Sequence, residues 1–188
     1  MDNKNRLILV TGATSGIGLA TAKTLKENGY NVILTGRNPD KVSACANEIG
    51  VPGYALDVAS EEDCASVVNQ IEAENGPLWG LVNNAGIWLE GEYETHTSSQ
   101  IRSVIETNTL GTMFMTHAAL PGMLDRKDGA IINVISMGAL YCRKLISVYA
   151  GSKWAIRGFT GCMEVECAPK GVRVMGFYPG KVETNMYE

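Results

Sequence analysis

Short apolar runs alternate with longer amphipathic stretches along the whole chain, and this alternation restricts the fold more than any other feature of the sequence. Six of the runs have the length and composition of buried strands, and they lie at 6–10, 31–35, 53–57, 78–84, 130–135 and 172–178. Every gap between them is long enough for a crossover helix, which is what joins parallel strands. We therefore predict an α/β fold with a doubly wound parallel sheet of six strands and helices on both faces.

Local signals place the ends of several helices and agree with this architecture. Ser60, which precedes three acidic residues, is predicted to be the N-cap of the helix after the third strand. Gly29 is predicted to end the helix after the first strand. A long helix that begins near Ser98 is expected to end before Pro121, because proline cannot continue the backbone hydrogen bonding. Right-handed crossovers and a glycine-rich first turn predict the strand order 3-2-1-4-5-6. The sequence has no repeat or linker, so residues 1–188 are predicted to form a single domain.

The composition of the chain argues against several classes of function. A net charge of −4 without a run of Lys and Arg argues against a nucleic-acid partner. The N-terminus has only a short apolar run, so we predict neither a signal peptide nor a membrane span. Five scattered cysteines without CxxC spacing indicate reduced thiols and a cytoplasmic location. The two histidines lack metal-ligand spacing, so no metal site is predicted.

The turn after the first predicted strand reads TGATSGIG, with glycines at 12, 16 and 18. Free amides at the N-terminus of the following helix favour an anion, and glycine lets a pyrophosphate approach the backbone. This pattern predicts a dinucleotide site. The alternative is a tight turn that binds no ligand.

Tyr149 and Lys153 are four positions apart in a predicted helix and therefore lie on one face of it. A cation about 4 Å from a phenolate stabilises it by roughly 4 kcal/mol at an effective dielectric near 20. That would lower the pKa of a phenol by about three units and make it a usable acid or base near neutrality. The alternative is a solvated helix in which the two residues are four apart by chance.

Five motifs follow one another in the chain: GxxxGxG, NNAG at 83–86, NVIS at 133–136, YxxxK at 149–153 and PGKVET at 179–184. With these motifs the sequence from Arg6 to Met186 resembles the short-chain dehydrogenase/reductase family. The resemblance implies a dinucleotide-binding Rossmann domain that transfers a hydride between a nicotinamide and a carbonyl or alcohol substrate.

The same resemblance implies four catalytic residues. Tyr149 matches the proton donor in reduction, and Lys153 the residue that makes it acidic and binds the nicotinamide ribose. Ser136, at the end of a strand, matches the group that polarises the substrate carbonyl, although a serine there is also a common turn former. Asn108 matches an asparagine that holds a water between Lys153 and solvent; a buried backbone contact is the alternative.

Matching positions also imply a set of cofactor-binding residues: Gly12, Thr14, Ser15, Gly16, Ile17, Gly18, Arg37, Asp57, Val58, Asn84, Ala85, Gly86, Tyr149, Lys153, Val182 and Thr184. Gly36 stands where an acid would bind the ribose hydroxyls of NAD(H), and Arg37 suits a 2′-phosphate. We therefore expect NADP(H) rather than NAD(H). Against this, Ser15 lacks the basic side chain of many NADP-dependent relatives, and Arg37 could be an ordinary exposed charge.

The resemblance also implies a homodimer that pairs through the Tyr149 helix and the Asn108 helix. Gly151 and Gly158 lie opposite Tyr149 and would let a neighbouring helix approach closely; close packing within one subunit is the alternative. The expected substrate is a small carbonyl or alcohol compound, in a pocket formed by Trp88, Leu89, Met137, Leu140, Tyr141 and Cys142. Arg143 and Lys144 could meet an acidic substrate, or simply belong to a solvated loop.

Two other functions share this scaffold. A nucleotide-sensing protein without turnover is the first, and the four intact catalytic positions argue against it. A nucleotide-sugar epimerase or dehydratase is the second, and the glycine spacing and the short chain argue against it. Most family members continue beyond the position that matches Glu188, so we expect this sequence to lack their substrate-covering segment.

Overall fold

A computed structural model of the protein describes residues 6–182, and its six strands form one parallel sheet in the order β3-β2-β1-β4-β5-β6. The strands are β1 (Leu7–Val10), β2 (Asn31–Gly36), β3 (Gly53–Ala55), β4 (Leu78–Asn83), β5 (Gly129–Val134) and β6 (Val172–Phe177). The predicted fold class and strand order are confirmed.

Six α-helices connect these strands: α1 (Gly16–Glu27), α2 (Pro39–Ile49), α3 (Glu61–Asn75), α4 (Ser98–Ile105), α5 (Gly111–Arg126) and α6 (Ser147–Cys167). A π-helical segment, Glu106–Leu110, joins α4 directly to α5. Short 3-10 turns lie at Tyr93–Thr95, Met137–Ala139 and Ala168–Lys170. No helix within residues 6–182 is both long and apolar enough to cross a membrane.

Helices cover both faces of the sheet, and alternate residues of each strand point to opposite faces. The side chains of each strand are therefore buried on both sides. Val10 and Leu34 pack against α1 and α2 on one face. Leu9, Ile33 and Ile131 pack against α3, α5 and the end of α6 on the other face. The near-continuous apolar strands of the sequence are explained by this two-sided burial.

Two predicted helix ends agree with the structure, and one does not. The Ser60 side chain accepts a hydrogen bond from the Asp63 amide at the start of α3. Gly29 follows the end of α1 with a left-handed φ of 85°. The prediction at Pro121 is wrong, because α5 continues through this residue to Arg126.

The continuation of α5 past Pro121 has a tertiary cause. A proline inside a helix costs about 3 kcal/mol, but the next turn places Met123 in the core. Arg126, at the end of the helix, also donates a hydrogen bond to the carbonyl of Leu78. These contacts offset the local cost, and the helix ends at Lys127 with a left-handed φ of 52°.

Candidate active site

A cleft of about 440 Å³ opens at the carboxyl ends of the strands, where the loops after all six strands meet. Ligands bind at this edge in open parallel sheets. Fourteen of the predicted site residues line it: Gly12, Thr14, Ser15, Gly16, Ile17, Arg37, Val58, Asn84, Ala85, Gly86, Ser136, Tyr149, Lys153 and Val182. Gly18, Asp57 and Asn108 are not among the lining residues, and Thr184 lies outside the residues that the structure describes.

The glycine turn is held tightly against the loop after β4. The Thr11 hydroxyl accepts hydrogen bonds from the Asn84 and Ala85 amides at 3.0 Å each. The Asn84 side chain donates to the carbonyls of Thr11 and Gly12 at 3.0 and 3.1 Å. A Cβ on Gly12, whose φ is 61°, would lie 2.7 Å from the Ala85 Cα, so no larger residue fits there. Gly18 also allows the close approach of the glycine turn to the loop after β4, since a Cβ at this position would lie 2.4 Å from Asn84 Nδ2.

The N-terminus of α1 has the features of an anion site. Its N-cap residue, Ser15, forms no side-chain hydrogen bond with the described part of the chain, and the first turn of α1 contains no acidic residue. By contrast, α3 has both a capping serine and three acidic residues in its first turn. The amides and the positive helix end of α1 therefore face the cleft without a counter-charge from α1 itself. The residues fit the pyrophosphate of a dinucleotide.

The end of β2 is crowded by the glycine turn. A Cβ on Gly36 would lie 2.7 Å from the Thr14 methyl carbon, so a larger side chain at this position would require the Thr14 side chain to move. The next residue, Arg37, is exposed and lines the cleft.

Asp57 has a structural contact of its own. Its Oδ1 accepts a hydrogen bond from the Ala59 amide at 3.0 Å, which is an Asx turn after β3. The neighbours Leu56 and Val58 line the cleft instead. The cofactor contact that the family resemblance implies for Asp57 stays a prediction.

Ser136 and Tyr149 approach each other across a glycine. The Ser136 Oγ accepts a hydrogen bond from the Gly138 amide at 3.0 Å, which leaves its own hydrogen available for donation. A Cβ on Gly138 would lie 3.4 Å from Ser136 Oγ and 3.7 Å from Tyr149 Cε1. The serine is therefore a turn former, as its position allowed, and its hydroxyl and the tyrosine ring both border Gly138 in the cleft.

Lys153 is almost completely buried, with 5% of its surface exposed. Its Nζ donates to the Val134 carbonyl at 2.9 Å and lies 5.9 Å from the centre of the Tyr149 ring. Burial lowers the pKa of Lys153 to about 8. Since that value is above 7, the ammonium form still predominates at neutral pH.

Asn108 is fully buried within the π-helical segment. Its Oδ1 accepts from the Ile87 amide at 2.8 Å, and its Nδ2 donates to the Ile87 carbonyl and the Ser152 hydroxyl at 3.0 and 3.1 Å. The Asn108 side chain therefore makes a buried backbone contact, which is the alternative to the water-holding role. It also ties the loop after β4 to α6 next to Lys153. The water-holding role stays a prediction.

Trp88 packs against Tyr149 in the wall of the cleft. The two ring centroids are 4.4 Å apart at an angle of 57°. Trp88 Nε1 donates to Glu90 Oε2 at 3.2 Å, and Glu90 Oε1 lies 3.4 Å from Arg143 Nη2. Arg143 is therefore held in an exposed ion pair. Of the predicted pocket residues, Trp88 lines the cleft, whereas Met137, Leu140 and Tyr141 are exposed and are not among the lining residues.

Sequence reasoning does not identify seven further lining residues: Leu56, Ile87, Thr107, Val134, Ile135, Pro179 and Gly180. Most of them are apolar residues at strand ends, which a sequence alone assigns to the core. Four of them, Val134, Ile135, Pro179 and Gly180, lie inside the quoted motifs NVIS and PGKVET, and the other three are each next to a predicted site residue.

Comparison with known proteins adds three findings. The sequence model described as short chain dehydrogenase matches residues 6–188. Acetoacetyl-CoA reductase from Paracoccus denitrificans is 38% identical over 182 residues, which are 96% of this chain and 75% of that protein. A variant of actinorhodin polyketide ketoreductase solved with NADPH is 34% identical, with a TM-score of 0.94 over 97% of this chain and 72% of the other.

A further solved structure is 3-ketoacyl-(acyl-carrier-protein) reductase from Brucella melitensis in complex with NADH. It is 28% identical, with a TM-score of 0.95 over 98% of this chain and 79% of the other. All of these matches include nearly the whole of the chain, and so they include the cleft.

Proposed function

The chain belongs to the short-chain dehydrogenase family and is an oxidoreductase, and on that premise we propose that it transfers a hydride between NADP(H) and a carbonyl or alcohol substrate. One observation carries the proposal. Ser136, Tyr149 and Lys153 line the same cleft as the glycine turn. The cleft therefore combines an anion-binding end with a proton-transfer end.

A nicotinamide dinucleotide, when bound, supplies or accepts the hydride. In the direction of reduction, Ser136 donates its free hydrogen to the substrate carbonyl oxygen and orients it. Tyr149 donates the proton that the oxygen needs as negative charge develops on it. In oxidation Tyr149 accepts that proton. The Lys153 ammonium, buried close to the tyrosine ring, favours the phenolate and so makes Tyr149 a better acid.

NADP(H) is the proposed cofactor because of Gly36 and Arg37. The crowding of Gly36 by Thr14 disfavours a carboxylate that would bind ribose hydroxyls, and Arg37 brings an exposed cation to the same end of the cleft. The solved relatives include one complex with NADPH and one with NADH, so they do not decide the preference.

The substrate is proposed to be a small molecule with a ketone or secondary alcohol. The relatives' names, acetoacetyl-CoA reductase and 3-ketoacyl-(acyl-carrier-protein) reductase, have a 3-oxoacyl group in common. A substrate panel should therefore include acetoacetyl-CoA together with simple ketones and aldehydes. The exposed apolar side chains of Met137, Leu140 and Tyr141, which follow Ser136 in the chain, are consistent with an acyl or aromatic substrate body.

A homodimer is proposed through α6 and the helix that contains Asn108, in which α4 and α5 are joined by the π-helical segment. Among residues 6–182, a Cβ on Gly151, Gly158 or Gly161 would meet nothing within 4 Å, so close packing against this part of the subunit does not explain these glycines. The exposed Trp154 lies on α6 as well. A small-residue surface with an exposed aromatic side chain suits a two-fold contact.

The cytoplasmic location also stays a proposal, with all five cysteines present as free thiols.

The experiment that tests the proposed activity compares wild-type protein with Tyr149→Phe. We expect NADPH oxidation with at least one ketone, and a loss of about 10²–10⁴-fold in kcat for Tyr149→Phe with NADPH affinity unchanged. Tyr93→Phe, at an exposed tyrosine outside the predicted pocket, is the control for the loss of a hydroxyl. Equal turnover of Tyr149→Phe and wild-type protein would remove Tyr149 from its role. Tight NADPH binding without turnover by the wild-type protein would favour the nucleotide-sensing alternative.

A further inference from the structure

The turn that contains Ser136 is held from outside by an arginine of α6. Arg157 Nη1 donates a hydrogen bond to the Ala139 carbonyl at 2.9 Å. Ala139 is completely buried and is the last residue of the Met137–Ala139 turn. A buried carbonyl without a donor costs about 1–3 kcal/mol, so this contact stabilises the turn in its present position.

Hydrogen bonds inside the turn lead from Ala139 to the catalytic hydroxyl. The Ala139 amide donates to the Ser136 carbonyl at 3.0 Å. The Gly138 amide donates to Ser136 Oγ, also at 3.0 Å. At the other end, the Met137 amide donates to the Pro179 carbonyl at 3.0 Å. The turn is therefore fixed at its start by Pro179 and at its end by Arg157.

Arg157 is well placed for this contact although it lies on the surface of α6. Its guanidinium lies 4.9 Å from the centre of the Trp154 ring, a cation–π distance that limits its motion. It forms no salt bridge within residues 6–182, so no carboxylate there draws it away from the carbonyl. It is also four positions after Lys153 and eight after Tyr149, so a single helix carries all three side chains.

We propose that Arg157 is a positioning residue for Ser136: it holds the Met137–Ala139 turn so that the serine hydroxyl stays beside Tyr149. The reaction requires a fixed serine hydroxyl because a displacement of about 1 Å in a catalytic group costs on the order of 10²-fold in rate. The inference rests on the proposed function for its catalytic part. Its structural part, the immobilisation of the turn, can be measured without turnover.

The structural part is tested by hydrogen exchange in the free protein. In Arg157→Met, the amides of Gly138 and Ala139 should exchange at least about tenfold faster, because the turn opens locally. Arg157→Lys retains a donor and should show a smaller change. The control is Arg102→Met, at an arginine whose side chain is 76% exposed. Unchanged exchange at both amides in Arg157→Met overturns the proposal, whether or not the protein is active.

The catalytic part is tested by a double-mutant cycle with the ketone substrate. Arg157→Met should lower kcat about tenfold and leave NADPH affinity unchanged, and Arg157→Lys should restore part of the rate. In a Ser136→Ala background, Arg157→Met should cause little further loss, because both changes remove the same group from its position. Independent losses that multiply would overturn the proposal. Inactivity of the wild-type protein would instead contradict the proposed function and leave the exchange result to decide this inference.

Discussion

Replacing Lys153 by methionine should make the free protein more stable at neutral pH while removing a proposed catalytic group. Burial lowers the pKa of this lysine from 10.5 to about 8, a difference of about 2.5 units. At about 1.36 kcal/mol per unit, the buried charge destabilises the fold by about 3 kcal/mol at pH 7. Loss of the hydrogen bond to Val134 offsets about 1 kcal/mol of the gain. A net stabilisation of about 2 kcal/mol is expected.

The sign of the pH dependence follows from the lowered pKa. Between about pH 8 and 10.5 the unfolded chain binds more protons at Lys153 than the folded chain does, so the free energy of unfolding rises with pH in this window. The cost of the buried charge is fully present below about pH 8 and disappears above 10.5. The stability difference between Lys153→Met and wild-type protein should therefore shrink by about 2 kcal/mol between about pH 7 and 9.5.

Urea unfolding of the free proteins at these two pH values measures both quantities. Lys41→Met is the matched control, because Lys41 is an exposed lysine on α2 and should show no pH-dependent difference. A Lys153→Met variant that is less stable than wild-type protein at pH 7, or a difference that does not change with pH, would refute the reasoning from burial.

Two other predictions concern the cofactor and the subunit contact. Arg37→Ala should weaken NADPH binding about 10–100-fold, the value of a charge-assisted contact, and leave NADH binding unchanged, with Lys41→Ala as the control in equilibrium titrations. An unchanged ratio of the two dissociation constants would contradict the proposed role of Arg37. If the proposed dimer forms, Gly158→Glu should convert it to monomer in analytical ultracentrifugation without unfolding the protein, since a Cβ there meets nothing within 4 Å among residues 6–182, whereas Ala73→Glu on α3 should not. Persistence of the dimer in Gly158→Glu would place the subunit contact on another surface.

The sequence is sufficient to predict the sheet because strand order depends on general rules. Apolar runs mark the strands, and handedness then fixes their order. The end of α5 is not predictable in this way, because the proline rule is local whereas Met123 is buried by distant residues. The π-helical segment is also missed, since one extra residue in a turn hardly changes the apolar period.

The candidate site is predictable where one motif contains the whole contact. Tyr149 and Lys153 need only the period of a helix, and the glycine turn needs only its strand and its helix. The contact of Trp88 with Tyr149 and that of Arg157 with Ala139 join residues far apart in the chain, and an exposed arginine gives no sequence signal. Such contacts follow from tertiary structure alone.

Because Tyr149, Lys153 and Arg157 share α6, their mutual arrangement depends on the number of residues between them. Removing or adding one residue in this interval would rotate everything beyond it by about 100° around the helix axis and shift it by about 1.5 Å. The ammonium group would then turn away from the phenol, and the guanidinium away from the carbonyl of the turn. The length of this part of the helix is therefore fixed, even where individual side chains can change.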